Sequence, residues 1–401
     1  MGSADDTTSS PEQIGARIAV QADGPVTPQE ADSQGSVLDT TDLTGVIGRR
    51  RLNPLAAFFA GQGPEWTRLA ALGLLLVVAV LLPFVIKSDR WLTLFTIVLI
   101  YVVLASGLNI VVGFTGLLDL GYVAFYAIGG YYTAVIFVQV LKNGFGIPIQ
   151  DLWWLAWVNL LVGGGMAALA GAVLGYPTLR LRGDYLAIMT LGFGEIIRIV
   201  ANNWVSLTRG PSGISGIPKF ALGDFVFKSN FRSYFLILVL AVISLFLVSR
   251  LVRSRVGRAW TAVREDQVAA AAMGINTSRY KLLSYASGAF FAGVMGVFFG
   301  HYLNFIHPSN FKLMESIVML CLVVLGGMGS IVGPAVGAAI WITLQEWLRD
   351  FPFVEAHPEI RGMAMGLVLV MLMIFRPQGI LGGSRMALHM KLRRRRAERN
   401  P

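Results

Sequence analysis

Apolar runs of about 16–22 residues recur along the chain, each near the length that a helix needs to cross the hydrocarbon core of a bilayer. The pattern predicts spans at 66–86, 91–112, 122–141, 153–174, 184–203, 233–252, 281–303, 315–332, 333–349 and 361–376. The expected fold is therefore all-α: a polytopic transmembrane helical bundle of about ten spans with broken or re-entrant segments. The breaks fall at Gly113-Phe-Thr-Gly-Leu-Leu-Asp-Leu-Gly121 and at 326–334, where Gly-Gly-Met-Gly-Ser-Ile-Val-Gly-Pro interrupts the apolar run. Irregular backbone at membrane depth is tolerated only where protein or a water-filled cavity surrounds it. Such glycine-broken segments therefore point to a transport pathway. The alternative is a pair of short cytoplasmic turns at the bilayer edge, and both readings stay open.

Composition agrees with the pattern. Of 401 residues, 55% are hydrophobic and 14% charged, against about 25% charged in soluble domains. The net charge of +10 does not indicate nucleic-acid binding, because the basic residues flank the spans and the end of the chain. Arg49–Arg51, Arg180 with Arg182, the crowd from Arg253 to Lys281, and Lys391–Arg396 all fall on one face if there are ten spans. The positive-inside rule makes that face cytoplasmic, with both termini inside. Residues 1–48 carry eight acidic residues and one basic one amid Ser, Thr, Gly and Pro. They are expected to form a disordered acidic cytoplasmic tail. The membrane domain then covers 49–383, and a basic cytoplasmic tail covers 384–401. The outer connection 204–232 reads either as a docking site for an external partner or as a plain loop.

Between two spans lies Arg264-Glu-Asp-Gln-Val-Ala-Ala-Ala-Ala-Met-Gly-Ile275, within a cytoplasmic connection at 253–281. Alanines and the polar residues before them favour a short helix over 265–273, with Glu265 and Asp266 in its first turn. Gly274 is placed to end it, and Thr277 or Ser278 to cap the next span. One side offers Val268, Ala272 and Ile275, flanked by small alanines such as Ala270 and Ala271, and this small, shallow face suits a groove on another protein. A helix lying in lipid headgroups would carry bulkier apolar residues.

Chemistry beyond this is sparse. None of the seven lysines follows a glycine, so no P-loop is present. The four histidines lack metal-ligand spacing, and no nucleophile elbow occurs, so neither a metal site nor an enzyme is expected. Cys321, the single cysteine, sits in an apolar run and reads as a buried thiol. Within the fifth span, Glu195 lies about 16 Å from the cytoplasmic end, with Arg198 one turn on. The pair reads either as a polar element of a pathway or as a self-neutralised couple. Gly192 and Gly194 permit close helix approach or local unwinding there. Asp119, in the first break, is the other acidic candidate, with a turn-forming aspartate as the plain alternative.

Glu265…Ala270-Ala271…Gly274 resembles the cytoplasmic loop by which ABC-importer permeases dock on their ATPase. Five stretches in order resemble the LivM-type branched-chain amino acid permeases: 113–130, 179–198, Gly210-Pro-Ser-Gly-Ile214, 264–275 and Phe375-Arg-Pro-Gln-Gly-Ile-Leu-Gly382. The resemblance covers about 66–383. It implies a permease in the bacterial inner membrane, beside a second related permease. Two cytoplasmic ATPase subunits and an extracytoplasmic solute-binding protein for leucine, isoleucine or valine would complete the system. The chain itself would hold no cofactor; ATP would bind the partner. Transport of urea or short amides within the same family is one alternative. An ion-coupled secondary transporter is another, which the scarcity of buried ionisable residues disfavours.

Overall fold

The computed structural model describes residues 77–380 apart from 78, 85, 87, 147–152, 179–180, 182, 224, 351–357 and 376–378, all within the unit Ala57–Pro401. The acidic segment, the arginines at 49–51, most of the first span, Arg180, Arg182 and the basic end lie outside the described residues. The rest is a helical bundle. Its long helices are α1 (Asp89–Asn109), α2 (Val123–Ala134), α3 (Trp153–Thr178), α4 (Asp184–Asn203) and α6 (Asn230–Arg253). They are followed by α9 (Thr277–Leu303), α10 (Leu313–Gly326), α11 (Gly333–Arg349) and α12 (Pro358–Phe375). Short helices α5 (Val205–Thr208), α7 (Arg255–Glu265) and α8 (Gln267–Ala272) lie in connections. α1 runs on as a π-turn over Ile110–Phe114, and α2 over Val135–Gly144.

Among the described residues five helices are long and apolar enough to cross a membrane: α1 and α2 with their π extensions, α3, α6 and α9. α10, at 14 residues, is about 21 Å long and falls short of the core thickness. Its expected continuation to 332 is instead the loop 327–332, because Gly327 and Gly329 adopt positive φ.

The core is built around α1 and α9. α9 packs on α3, α2 and α1, while α1 also meets α11, α6 and α10. Lipid offers apolar side chains no gain from mutual burial, so close backbone approach must supply the attraction. The sequence provides it as small residues every four positions: Gly163, Ala167, Gly171 and Gly175 on α3, and Gly288, Ala292 and Gly296 on α9. α3 and α6 turn Leu161, Leu169, Val173, Val239 and Phe246 outward, as helices at a lipid boundary do. Cys321 is buried, as its setting implied.

The connection 204–232 is folded rather than plain. Strand β1 (Ile214–Ser215) pairs antiparallel with β4 (Phe305–Ile306), and β2 (Ala221–Leu222) pairs with β3 (Phe225–Val226). Asn304 Nδ2 donates to the Ile217 carbonyl at 2.7 Å, and Trp157 Nε1 to Ala221 at 2.9 Å. The segment is thereby pinned across the ends of α3 and α9.

Candidate functional site

The connection between α6 and α9 is two helices, not the single one expected over 265–273. Ser254 Oγ accepts from Val256 N at 3.1 Å and starts α7. α7 is amphipathic: Gly257, Ala259, Trp260 and Val263 are buried, and Trp260 Nε1 donates to the Tyr280 carbonyl at 2.8 Å. Asp266 then turns extended, with φ −154° and ψ 115°. Its Oδ1 accepts from Val268 N at 2.7 Å and Ala269 N at 3.0 Å, capping α8. Those two amides, Ala269 foremost, hold its carboxyl below the ordinary aspartate value. An aspartate that bonds the backbone ahead of it competes with helix continuation, which is why the break falls there.

Glu265 consequently closes α7 and does not lie in the first turn of the alanine helix. Ala270 is buried, so of the residues expected on the docking face it points inward. Ala269, Ala271, Ala272 and Gly274 are exposed, as is Val268 at 68%. Met273, absent from the sequence reading, is the most exposed at 83%. Gly274 ends α8 at φ +83°, as expected. Asn276, not Thr277 or Ser278, caps α9, its Oδ1 accepting from Arg279 N at 3.0 Å. Lys281 Nζ donates to Gln267 Oε1 at 2.9 Å, bracing α8 against α9. The result is a small, shallow apolar platform held from two sides.

The two glycine breaks meet each other. Asn109, buried in the last turn of α1, reaches across 220 residues. Its Nδ2 donates to the Ser330 carbonyl at 2.7 Å, and its Oδ1 accepts from Gly329 N at 3.0 Å. A Cβ on Gly113 would lie 2.5 Å from Gly329 N, so the backbones touch only because both residues are glycine. Arg264, at the end of α7, donates from Nη1 to the Gly113 carbonyl. Ile380 N donates to the Leu325 carbonyl at 2.8 Å, so part of the 375–382 motif closes the second break. Asn109→Leu keeps the bulk and strands an amide and a carbonyl, each costing about 1–3 kcal/mol when buried. The expected result is a lower unfolding midpoint for the detergent-solubilised protein; an unchanged midpoint would show that the latch carries nothing.

The remaining candidates separate. Asp119 is fully buried, and its Oδ1 accepts from Gly121 N at 2.9 Å: the geometry of a turn. Oδ2 has no partner among the described residues. The break is sewn to α4 by Leu120 N, which donates to Thr190 Oγ1 at 3.0 Å, and by Gly121 lying against the Thr190 carbonyl. Gly194 meets Gly121 there, whereas Gly192 faces open space. Two positions apart on a helix is about 200°, so the two glycines cannot share a face. Glu195 and Arg198 pair with each other on α4, Nε lying 2.9 and 3.0 Å from the two carboxylate oxygens. Both side chains are part-exposed, at 38% and 30%, beside the outward stripe of Tyr185, Ile188, Met189, Ile196 and Ile199. The structure brings Glu195 and Arg198 together and leaves Asp119 in the interior. Sequence reasoning missed Asn109 and Arg264; an asparagine one turn before a glycine break in an apolar helix was the available signal.

Comparison with known proteins adds a family. The branched-chain amino acid transport system permease component family matches residues 90–374. The LivM high-affinity branched-chain amino acid transport system permease protein of Escherichia coli K12 is 41% identical, over 79% of this chain and 76% of its own. The LivM protein of Salmonella typhimurium is 39% identical over the same shares. The LivH permease protein of Escherichia coli K12 is 29% identical, over 70% of this chain and 91% of its own. No solved structure matches the chain significantly.

Proposed function

Since the chain belongs to the branched-chain amino acid transport system permease family, as a multi-pass membrane protein and not an enzyme, we propose that it is the membrane-spanning subunit of an ATP-driven importer of leucine, isoleucine or valine. In this reading a separate ATPase drives it, a soluble extracytoplasmic protein delivers the substrate, and both termini are cytoplasmic. A second permease pairs with it; that its relatives include both LivM and LivH proteins supports a pair of unlike subunits.

The observation that carries the ATPase coupling is the braced platform of α8. Its exposed side chains are apolar, small along the helix with Met273 at its end, it is fixed by the Asp266 cap and by Gln267–Lys281, and it projects from a chain without a P-loop. ATP-driven closure of the ATPase pair would press on α8 and tilt α6 and α9, which flank it, so that the path opens alternately to either side. The outward apolar stripe of α4 is the surface we assign to the second permease, with Glu195 and Arg198 neutralising each other beside that contact.

The test is uptake of labelled leucine into liposomes holding the full system, with each partner omitted in turn. Uptake is expected only with ATP and every partner present. Uptake by this chain alone down an ion gradient would make it a secondary carrier instead. Competition by urea or short amides, but not by valine, would reassign the substrate.

A further inference from the structure

We propose that Arg264 is the strut through which movement of the docking helix reaches both glycine breaks, a positioning residue of the transport cycle rather than of the docking surface. The proposal rests on the ATPase-coupling reading above.

Arg264 is three residues before the first residue of α8 and stands before the Asp266 break, where α7 and α8 articulate. From there its side chain, on a residue that stays exposed, reaches back to the end of α1. α7 packs directly on the π-turn of Ile110–Phe114 that ends α1. The Arg264 guanidinium donates to Gly113 within that turn. Terminal carbonyls of a helix lack intrahelical partners and carry its negative pole, so a cation bonding there is well matched. The same guanidinium abuts the second break: a Cβ on Gly329 would lie 2.6 Å from Nη1 and 3.1 Å from the Gly113 carbonyl. The stem crosses the first break, since a Cβ on Gly116 would lie 3.0 Å from Arg264 Cγ. One side chain therefore touches three points in two loops that Asn109 already ties together.

The chain offers α8 only two covalent outlets, through α7 to α6 and through 273–276 to α9. Both α6 and α9 pack along α1, but neither runs on in sequence to the ends of α1 and α10, where the glycine breaks lie. Arg264 adds a direct polar contact to the breaks themselves. Arg264 is itself an exposed residue of α7, and the buried Trp260 and Val263 anchor that helix without it. Removing the guanidinium should accordingly disconnect the breaks while leaving the connection folded.

The experiment compares wild type, Arg264→Gln and Arg264→Lys in the reconstituted transporter, scoring assembly, ATP hydrolysis and leucine uptake separately. Arg264→Gln should assemble and hydrolyse ATP at close to the wild-type rate, with leucine moved per ATP down about tenfold. Arg264→Lys, which keeps a charged donor, should recover part of the loss. A second readout does not depend on transport. Spin labels at Leu118→Cys in the first break and Tyr176→Cys on α3, both exposed, with Cys321 replaced, should report an ATP-dependent distance change that Arg264→Gln abolishes. Unchanged uptake per ATP, an unchanged distance response, or a loss of assembly in step with uptake would each overturn the proposal. Absence of ATP-dependent uptake in wild type would instead overturn the coupling reading itself.

Discussion

Ala271→Asp is expected to leave the membrane bundle folded and to abolish ATP-driven uptake. Ala271 is exposed on α8, on the same short helix as the buried Ala270. An aspartate there is fully solvated in the free permease, so the fold has no reason to object. Docking changes its surroundings. A carboxylate enclosed against an apolar groove without a partner costs at least about 3 kcal/mol, which corresponds to ~100-fold weaker docking. The neighbouring substitution Ala270→Asp separates the two kinds of failure. Its carboxylate would be buried inside the permease itself, and that variant should lose folded protein before any partner is added. The measurements are folded yield by size exclusion in detergent, co-purification with the ATPase, and leucine uptake in liposomes. Wild-type uptake by Ala271→Asp would remove the docking assignment, and equal folding loss in both variants would show that α8 is internal.

The long helices were legible because hydrophobic length is a local property. α4 and α11 occupy the expected 184–203 and 333–349, and α9 starts four residues early because Asn276 caps it. The segment 264–275 was legible as a helix and not as two. The residues on both sides of Asp266 are helix formers, and the choice of its side chain to cap rather than continue is a competition that propensity does not resolve. Gly192 and Gly194 were read as a unit although helix geometry sets them on opposing faces. The junction was illegible for a different reason. Asn109 meets Gly329 across 220 residues and Arg264 meets Gly113 across 151, and no local pattern encodes which polar residue in an apolar run finds which loop. The pinned connection 204–232 is the same case, since β1 finds its partner only beyond the whole of α6 and α9.

Gly293→Leu is expected to prevent the bundle from forming. Gly293 stands on α9, where it faces two helices at once. On one side its added Cβ would press into Ala167 and lie 2.8 Å from the Gly163 carbonyl of α3. On another, the Gly293 carbonyl already sits where a Cβ on Gly129 of α2 would be. Neither neighbour is the flexible end of a side chain, so nothing local can swing aside. The α3–α9 crossing would have to open along its length. Opening it forfeits the close contacts at Gly171 with Ala289 and at Gly163 with Val297, which in lipid are the main attraction between the two helices. Overpacking of a close-packed interior costs about 1–3 kcal/mol when neighbours can adjust. With backbone on both sides the cost should exceed that range. Gly165→Leu is the matched control: it stands on α3, the other helix of that crossing, with the same added bulk, but nothing lies within 4 Å of its Cβ and the position is exposed. Monodisperse yield should collapse for Gly293→Leu and hold for Gly165→Leu, with uptake per folded molecule unaffected in the latter. Equal yields would mean that side-chain burial elsewhere, not the glycine crossing, holds α9 at the centre of the bundle.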